Sequence, residues 1–368
     1  MNTFPLDNKA ELIAWLTLTQ SSAIKPSHIK HLLSHFGSAK AICQASPSAL
    51  HDHQLHATQV QQIKRPNTAA IDRILAWQAQ PHHTVISLTD PRYPALLAEI
   101  SSSPLLLYVK GDPAVLHHPQ IAIVGSRNPT HTGLELAAEF GYLLSMAGLV
   151  ITSGLAMGID TAAHAGALKA NGQTVAVLGN GLGSLYPRSN LGLAKHISEQ
   201  GCLVSEFSLD TQPTKTTFPQ RNRVISGLSL GTLVIEAAPK SGSLITARFA
   251  AEQGREVFAV PGSIRNPLAK GCLTLIQEGA KCITTVQDIL EEIQLVSTKS
   301  SIDSQHTLKK STLDTGNNPV LACIDNDVTT VDQICARSKL SAQLVSALLV
   351  QLELDGTIER RFGGFVKR

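Results

Sequence analysis

The stretch Ile121-Ala122-Ile123-Val124-Gly125-Ser126-Arg127-Asn128-Pro129-Thr130-His131-Thr132-Gly133 decides the fold class of this chain. Its first four residues are all apolar, the composition of a short buried strand. Gly125 ends that strand. The polar loop Ser126, Arg127 and Asn128 leads through Pro129 and Thr130 into a stretch with Leu134, Ala138, Gly141 and Leu144 at helical spacing. Strand, loop and helix together open a βα layer. In an open parallel sheet, ligands bind beyond the carboxyl ends of the strands, where loop N–H groups and helix N-termini favour anions. Arg127 therefore stands where a phosphate would bind.

The alternation continues downstream. Strands are expected near 149–152, 174–178, 202–205, 232–235 and 256–260, each followed by a Gly-rich loop and a helix. This order dictates an α/β fold, an extended and doubly wound parallel sheet with helices on both faces. Upstream, runs at 84–88 and 105–109 flank a Pro-rich turn and are expected to join the sheet beside the main layer. Residues 8–80 read as short helices at 10–18, 27–36, 39–43 and 68–78, separated by Pro26, Gly37, Pro47 and Pro66. His28, His31 and His35 share one face of the second helix. No cysteine or carboxylate joins them and tetrahedral zinc needs further ligands, so a solvated polar face is expected there and no metal.

Residues 297–318 are polar and without periodicity, as in a flexible linker. Beyond them come three helical segments and a ribbon turned at Asp355-Gly356, the layout of a winged helix. The expected organisation is thus a small helical domain over 1–82, the sheet domain over 83–296, a linker over 297–318 and a winged helix over 319–368.

At 368 residues the chain exceeds one typical domain, and 43% hydrophobic residues supply ample core. The sheet domain holds 15 Lys and Arg against 16 Asp and Glu, so its bulk charge gives no argument for nucleic acid. The position of each charge matters more. Six scattered cysteines without a C-x-x-C pair read as reduced thiols. The first residues lack a basic region followed by an apolar run, and no window approaches the roughly 18 apolar residues of a membrane span. A cytoplasmic protein is expected.

A dinucleotide site wants G-x-G-x-x-G in the first βα turn, and a P-loop wants G-x-x-x-x-G-K-[ST]. Neither is present at its required place, and no cofactor is expected. The cations Arg127, Arg188, Lys215, Arg221, Arg223 and Lys240 fall in predicted loops or helix starts after strands, while Glu135, Glu139, Glu199, Glu252, Glu291 and Glu292 fall on helices. A near-neutral domain can in this way present one basic rim. The Gly154 to Asp160 loop brings backbone close to that rim, with Asp160 as N-cap of the following helix. Lys240, Ser241 and Gly242 open a further helix with a nest of N–H groups. Phe218 beside Arg221 and Arg223 places an apolar ring next to cations, the pairing that single-stranded nucleic acid requires. A core position for Phe218 and an Arg223–Glu236 ion pair are the competing alternatives.

Gly125-Ser126-Arg127, Ser153 to Asp160 with Ala163-His164, Tyr186-Pro187, Ser205-Glu206, Phe218 to Leu228 (FPQRNRVISGL), Ser241 to Ala247 and Val260-Pro261-Gly262 resemble, in order, the pattern of the DNA processing protein A (DprA/Smf) family. The resemblance covers roughly residues 84–290. It implies an extended Rossmann-like domain that binds single-stranded DNA, dimerises, and helps load RecA recombinase during natural transformation, with no catalytic residue. Arg127 matches the arginine of the family's Gly-Ser-Arg loop, and Phe218, Arg221, Asn222 and Arg223 match its F-P-x-R-N-R segment. Arg188, just after Tyr186-Pro187, resembles a further contact. The helical N-terminal part is similar in layout to the family's sterile-alpha-motif-type domain, and the C-terminal part to its winged helix. Leu273 stands where the family usually has Asn, so no polar role is carried to that position.

The competing function is enzymatic. Gly227 to Glu236 resembles the P-G-G-x-G-T-x-x-E loop of nucleotide phosphoribohydrolases of the lysine-decarboxylase-like type. Glu236, however, lies one residue too far along the strand. Side chains alternate along a strand, so the slip turns the carboxylate to the opposite face from the catalytic position. A protein-interaction adaptor is the third alternative, and it predicts no salt-sensitive binding of oligonucleotides.

Overall fold

The computed structural model describes residues 6–20, 24–293, 320–324, 328–361 and 363–367. The stretch expected as a linker, 297–318, lies outside them. The described residues before 297 form one compact unit and those after it a second.

The first unit holds strands β1 (His83–Ser87), β2 (Leu106–Gly111), β3 (Gln120–Val124), β4 (Val150–Ser153), β5 (Thr174–Val177), β6 (Cys202–Ser205), β7 (Gly231–Val234), β8 (Glu256–Ala259) and β9 (Lys281–Cys282). They form one sheet in the order β1-β2-β6-β5-β4-β3-β7-β8-β9. From β6 to β9 every neighbouring pair is parallel, while β2 runs antiparallel to both β1 and β6. The lead-in segment thus joins the sheet as expected. β9 has no counterpart in the sequence reading, because two residues cannot display a period.

The sheet is covered on both faces. Along β3, Ile121 and Ile123 enter one core with Phe140 and Leu144 of the helix His131–Met146. Ala122 and Val124 enter the other, with Val224 and Leu228 of the helix Thr217–Leu228. Each fully buried Ile, Leu or Val contributes roughly 1.5–3 kcal/mol, so a strand apolar on both faces is held tightly. The buried stripe of His131–Met146 is Gly133, Ala137, Phe140, Gly141 and Leu144. Gly141 and Leu144 lie in it as expected, whereas Gly133 and Ala137 stand where Leu134 and Ala138 were expected, leaving Leu134 exposed. The bulky ring of Phe140 fills the space over the sheet, and Leu134 turns to solvent.

Among the described residues six helices precede β1, two more than expected, the additional ones being Pro47–Asp52 and Ala57–Lys64. Their core is continuous with one edge of the sheet, where Trp15, Leu16 and Leu32 share a cluster with Tyr108, Leu178 and Leu203. Trp15 Nε1 also donates to Thr89 Oγ1 at 3.3 Å. The histidines of the second helix gather with His53, whose ring lies 4.0 Å from that of His35. Among the described residues no group of His, Cys, Asp or Glu is arranged to hold a metal ion, and no helix is long and apolar enough to cross a membrane.

The second unit comprises a short turn Leu321–Cys323, helices Val331–Ser338 and Ala342–Leu354, and the ribbon β10 (Ile358–Arg361) and β11 (Gly364–Lys367). Val320, Ile334, Val345, Leu349, Ile358 and Phe365 form its core. This is a winged helix. Its longer helix leaves Leu344, Val350 and Leu354 exposed and carries no Lys or Arg.

Candidate nucleic-acid interface

The strand order reverses between β3 and β7, which are neighbours in the sheet although three strands, β4, β5 and β6, lie between them in the chain. At such a switch point the connections leave to opposite faces, and a crevice opens beyond the carboxyl ends of the two strands. The register places Val124 beside Val234, so both loops start at one level. A cleft of about 580 Å³ lies there, lined by Gly125, Ser126 and Arg127 after β3, by Lys240, Ser241 and Gly242 after β7, and by Lys215, Phe218, Arg221 and Asn222.

Each wall is held in place. After β3, Thr130 caps the helix His131–Met146, its Oγ1 accepting from Gly133 N at 3.0 Å. Thr130 in turn donates from N to Glu236 Oε2 at 2.9 Å and from Oγ1 to Glu236 Oε1 at 2.6 Å. The Glu236 carboxylate at a helix N-terminus is favoured by the helix dipole and anchors the β3 loop to the end of β7. After β7, Ser241 caps the helix Gly242–Glu252, and Asn222 Nδ2 donates to Gly242 O at 3.1 Å. The Gly154 to Asp160 loop approaches the β3 loop closely. Gly158 has φ of 83°, and a Cβ there would lie 2.4 Å from Ser126 O, so only glycine fits.

The cations separate into two groups. Arg127 is exposed, as are Lys215 and Lys240. Its guanidinium carbon lies 5.3 Å from the centre of the Phe218 ring, and the Tyr186 ring, 46% exposed, lies 5.9 Å on from Phe218. Cations and the Phe218 ring thus line one cleft, with the Tyr186 ring beyond Phe218 and outside the lining. Arg221 differs from its expected place on an exposed rim: it is 4% exposed, and its Nη1 donates to Gly154 O at 2.7 Å and to Val177 O. Gly154 leaves the space for this, since a Cβ there would meet Arg221 Nη1 at 2.3 Å. Arg223 is likewise drawn away from the rim. It pairs through Nη2 with Glu206 Oε2, not with Glu236, and does not line the cleft. Arg188 is exposed at the start of the turn Arg188–Asn190, outside the cleft lining; Asn190 Nδ2 ties that turn to Leu155 O at 2.9 Å.

Below the cleft the polar groups are buried. Asp160 is not an N-cap, a position taken by Gly158; its carboxylate accepts from Gly154 N at 3.1 Å and Ala156 N at 3.3 Å. Burial pushes the Asp160 carboxyl up, opposed chiefly by the Arg221 charge. Burial lowers Arg221 to about 10, with Asp160 opposing, so the guanidinium stays charged at neutral pH. His164 lies beneath, fully buried, its Nδ1 2.7 Å from Thr174 Oγ1. Thr174 donates its own proton to Ile151 O, so His164 Nδ1–H is the donor in that contact.

Burial, reinforced by the Arg221 charge, holds the His164 imidazole down at about 3, well below the ordinary 6.5. The unfolded chain therefore takes up a proton that the folded one refuses. The stability from this group is complete above pH 6.5 and falls by about 1.4 kcal/mol per pH unit below it. Between pH 7 and pH 5, wild-type protein should lose roughly 2 kcal/mol more than His164→Gln in urea unfolding. Identical pH dependence of the two would remove His164 from this role.

Lys215 is expected only on the general rim, and Ser243 and Thr246, which also line the cleft, belong to the Ser241 to Ala247 stretch without a role assigned to either by the sequence. Tyr186-Pro187 stood out as a motif, but nothing in it shows that the ring meets Phe218. The family of DNA recombination-mediator protein A matches residues 84–294. The chain belongs to the DNA processing protein A (DprA/Smf) family. The winged-helix domain of the same family matches residues 305–364. Among the relatives of this family member, Protein Smf of Escherichia coli is 42% identical over 310 residues, 81% of each chain. DNA processing protein DprA of Bacillus subtilis is 46% identical over 224 residues, 61% of this chain and 75% of the relative. The X-ray structure of DNA processing protein A from Streptococcus pneumoniae superposes with a TM-score of 0.69 at 37% identity, covering 76% of this chain and 97% of the other. A structure of DNA processing protein A from Helicobacter pylori, described for its single-stranded DNA binding mode, gives a TM-score of 0.52 at 28% identity, covering 57% of this chain and 95% of the other.

Proposed function

We propose that the cleft beyond β3 and β7 binds single-stranded DNA, and that the protein, as a cytoplasmic homodimer, protects incoming DNA and helps load RecA recombinase onto it in natural transformation. The observation that carries this proposal is the meeting of exposed Arg127, Lys215 and Lys240 with the Phe218 ring around one cleft. Cations hold phosphates whatever the sequence, and a base stacks on an aromatic face whatever its identity. Loop N–H groups of Gly125, Ser126 and Gly242 add donors for phosphate oxygens. Arg221, Asn222 and Gly154 position these loops from beneath. The description of the Helicobacter pylori relative supports the choice of a single strand.

Mobility shifts with single-stranded and duplex oligonucleotides at several salt concentrations test the proposal. Tighter binding of the single strand, weakening with salt, is expected; equal affinity for the duplex, or no salt dependence, would sink it. Phe218→Ala should cost about 1–3 kcal/mol of binding while leaving the salt slope nearly unchanged. A large fall in melting temperature without a binding defect would instead make Phe218 a core residue.

The winged helix is assigned a protein partner, because Ala342–Leu354 offers apolar side chains and no cation for phosphate. Removing residues 297–368 should leave oligonucleotide affinity within a few-fold of the full chain. A loss as large as that of a cleft variant would move the binding site to the second unit. Against a phosphoribohydrolase-like enzyme stands Glu236, whose two carboxylate oxygens are both engaged by Thr130.

A further inference from the structure

A second cavity, of about 800 Å³, shares no lining residue with the cleft. It is lined by the helical N-terminal module on one side and by the sheet on the other. The module contributes Ile24, Ile29 and Ile74, and the segment entering β2 contributes Pro104, Leu105 and Leu106. These apolar walls suit the faces of a planar ring.

The polar groups are distinctive. Glu206 and Arg223 pair through Oε2 and Nη2, and their side chains are 15% and 16% exposed. Glu206 Oε1 and Arg223 Nη1 are nevertheless buried without a hydrogen-bond partner among the described residues. A buried acceptor beside a buried donor, both unmatched, is costly unless something satisfies them together. Both groups belong to motifs of the sequence, Ser205-Glu206 and Phe218 to Leu228, yet neither lines the cleft. The third charged residue of this lining is Lys30, whose Nζ donates to Ser103 Oγ at 2.8 Å and Ser101 O at 3.2 Å. Two cations thus face one carboxylate, which favours an anion. Ser101 and Ser102 are exposed and mark the mouth.

We propose that this cavity binds a nucleoside monophosphate, with its base edge on Glu206 Oε1 and Arg223 Nη1 and its phosphate at Lys30 and the Ser101 to Ser103 loop. The recognition is base-tolerant. Every nucleobase carries an N–H donor next to a ring-nitrogen or carbonyl acceptor to match Glu206 Oε1 and Arg223 Nη1, and the Gln20 amide of the same lining, its Nε2 and Oε1 also buried without a partner among the described residues, offers either a donor or an acceptor to a further base atom. The volume suits a ligand of this size. The same chemistry is offered by a free monophosphate and by one nucleotide of a bound strand.

Titration calorimetry on the full chain with AMP, CMP, GMP and UMP tests the proposal. The four should bind within about tenfold of one another, with ribose 5-phosphate and inorganic phosphate at least about tenfold weaker. Lys30→Ala should weaken all four about tenfold, as expected for loss of a charge-assisted contact. Ser102→Trp, a change at an exposed position that fills the mouth, should abolish binding without lowering the melting temperature. Arg127→Ala should leave it unchanged. No binding of any monophosphate at millimolar concentration overturns the proposal. So does inorganic phosphate binding as tightly as AMP, or a loss seen with Arg127→Ala but not with Lys30→Ala and Ser102→Trp. An oligonucleotide that displaces AMP from the Arg127→Ala protein identifies a strand's nucleotide as the ligand. AMP retained by wild-type protein saturated with oligonucleotide identifies the free monophosphate.

Discussion

Arg127→Ala lowers affinity for a single-stranded oligonucleotide by about ten- to hundredfold and leaves the melting temperature unchanged. The magnitude follows from one charge-assisted contact to phosphate, roughly 1.5–3 kcal/mol. The fold is spared because Arg127 is exposed in a loop whose anchors are Thr130 and Glu236, and its ring contact is with Phe218, beside the cleft. Loss of one phosphate contact should also lower the slope of log affinity against log salt by about one. Mobility shifts across a salt series, with circular dichroism melting as the control, measure both. A folded variant with wild-type affinity and slope would take Arg127 out of the interface.

Arg221→Ala has the opposite signature, a loss of stability first and of binding only as a result. Arg221 is buried beneath the cleft, holds the carbonyls of Gly154 and Val177, and supplies the charge that opposes the burial of Asp160. Removing it leaves a buried carboxylate without its countercharge and two carbonyls without a donor, a change of about 3–5 kcal/mol in comparable buried pairs. A fall in melting temperature on the order of 10 °C is expected. Arg221→Lys should recover little, since one ammonium cannot reproduce the planar fork on two carbonyls. An Arg221→Ala protein that melts like wild type and has only a binding defect would return Arg221 to the exposed rim.

These two variants divide what was legible in the sequence from what was not. The βα alternation was legible because each strand is a short apolar run bounded by glycine, and five such strands were placed within a residue or two. Arg127 was legible as a loop cation because the strand before it and the helix after it are both plain in the pattern. Arg221 and Arg223 could not be told from it by type. All three are arginines near a strand end or helix start, and spacing along a chain says nothing of what packs above. The places of Lys215 in the cleft and of Tyr186 against Phe218 were not legible for a related reason, since each stands in a loop with no period of its own.

The sequence by itself determined the class of fold, a parallel sheet wound with helices on both faces, because the hydrophobic period of each segment is a local property. It determined too that the polar loops sit at one end of the sheet, because parallel strands joined through helices all point the same way. Only the tertiary structure decided that β3 and β7 are neighbours and that the crevice opens between them. It also decided which arginine meets solvent and which is spent on Gly154 and Val177 or on Glu206. Those outcomes depend on strand order and on the partners that burial brings to each guanidinium, contacts between residues far apart in the chain that no local pattern encodes.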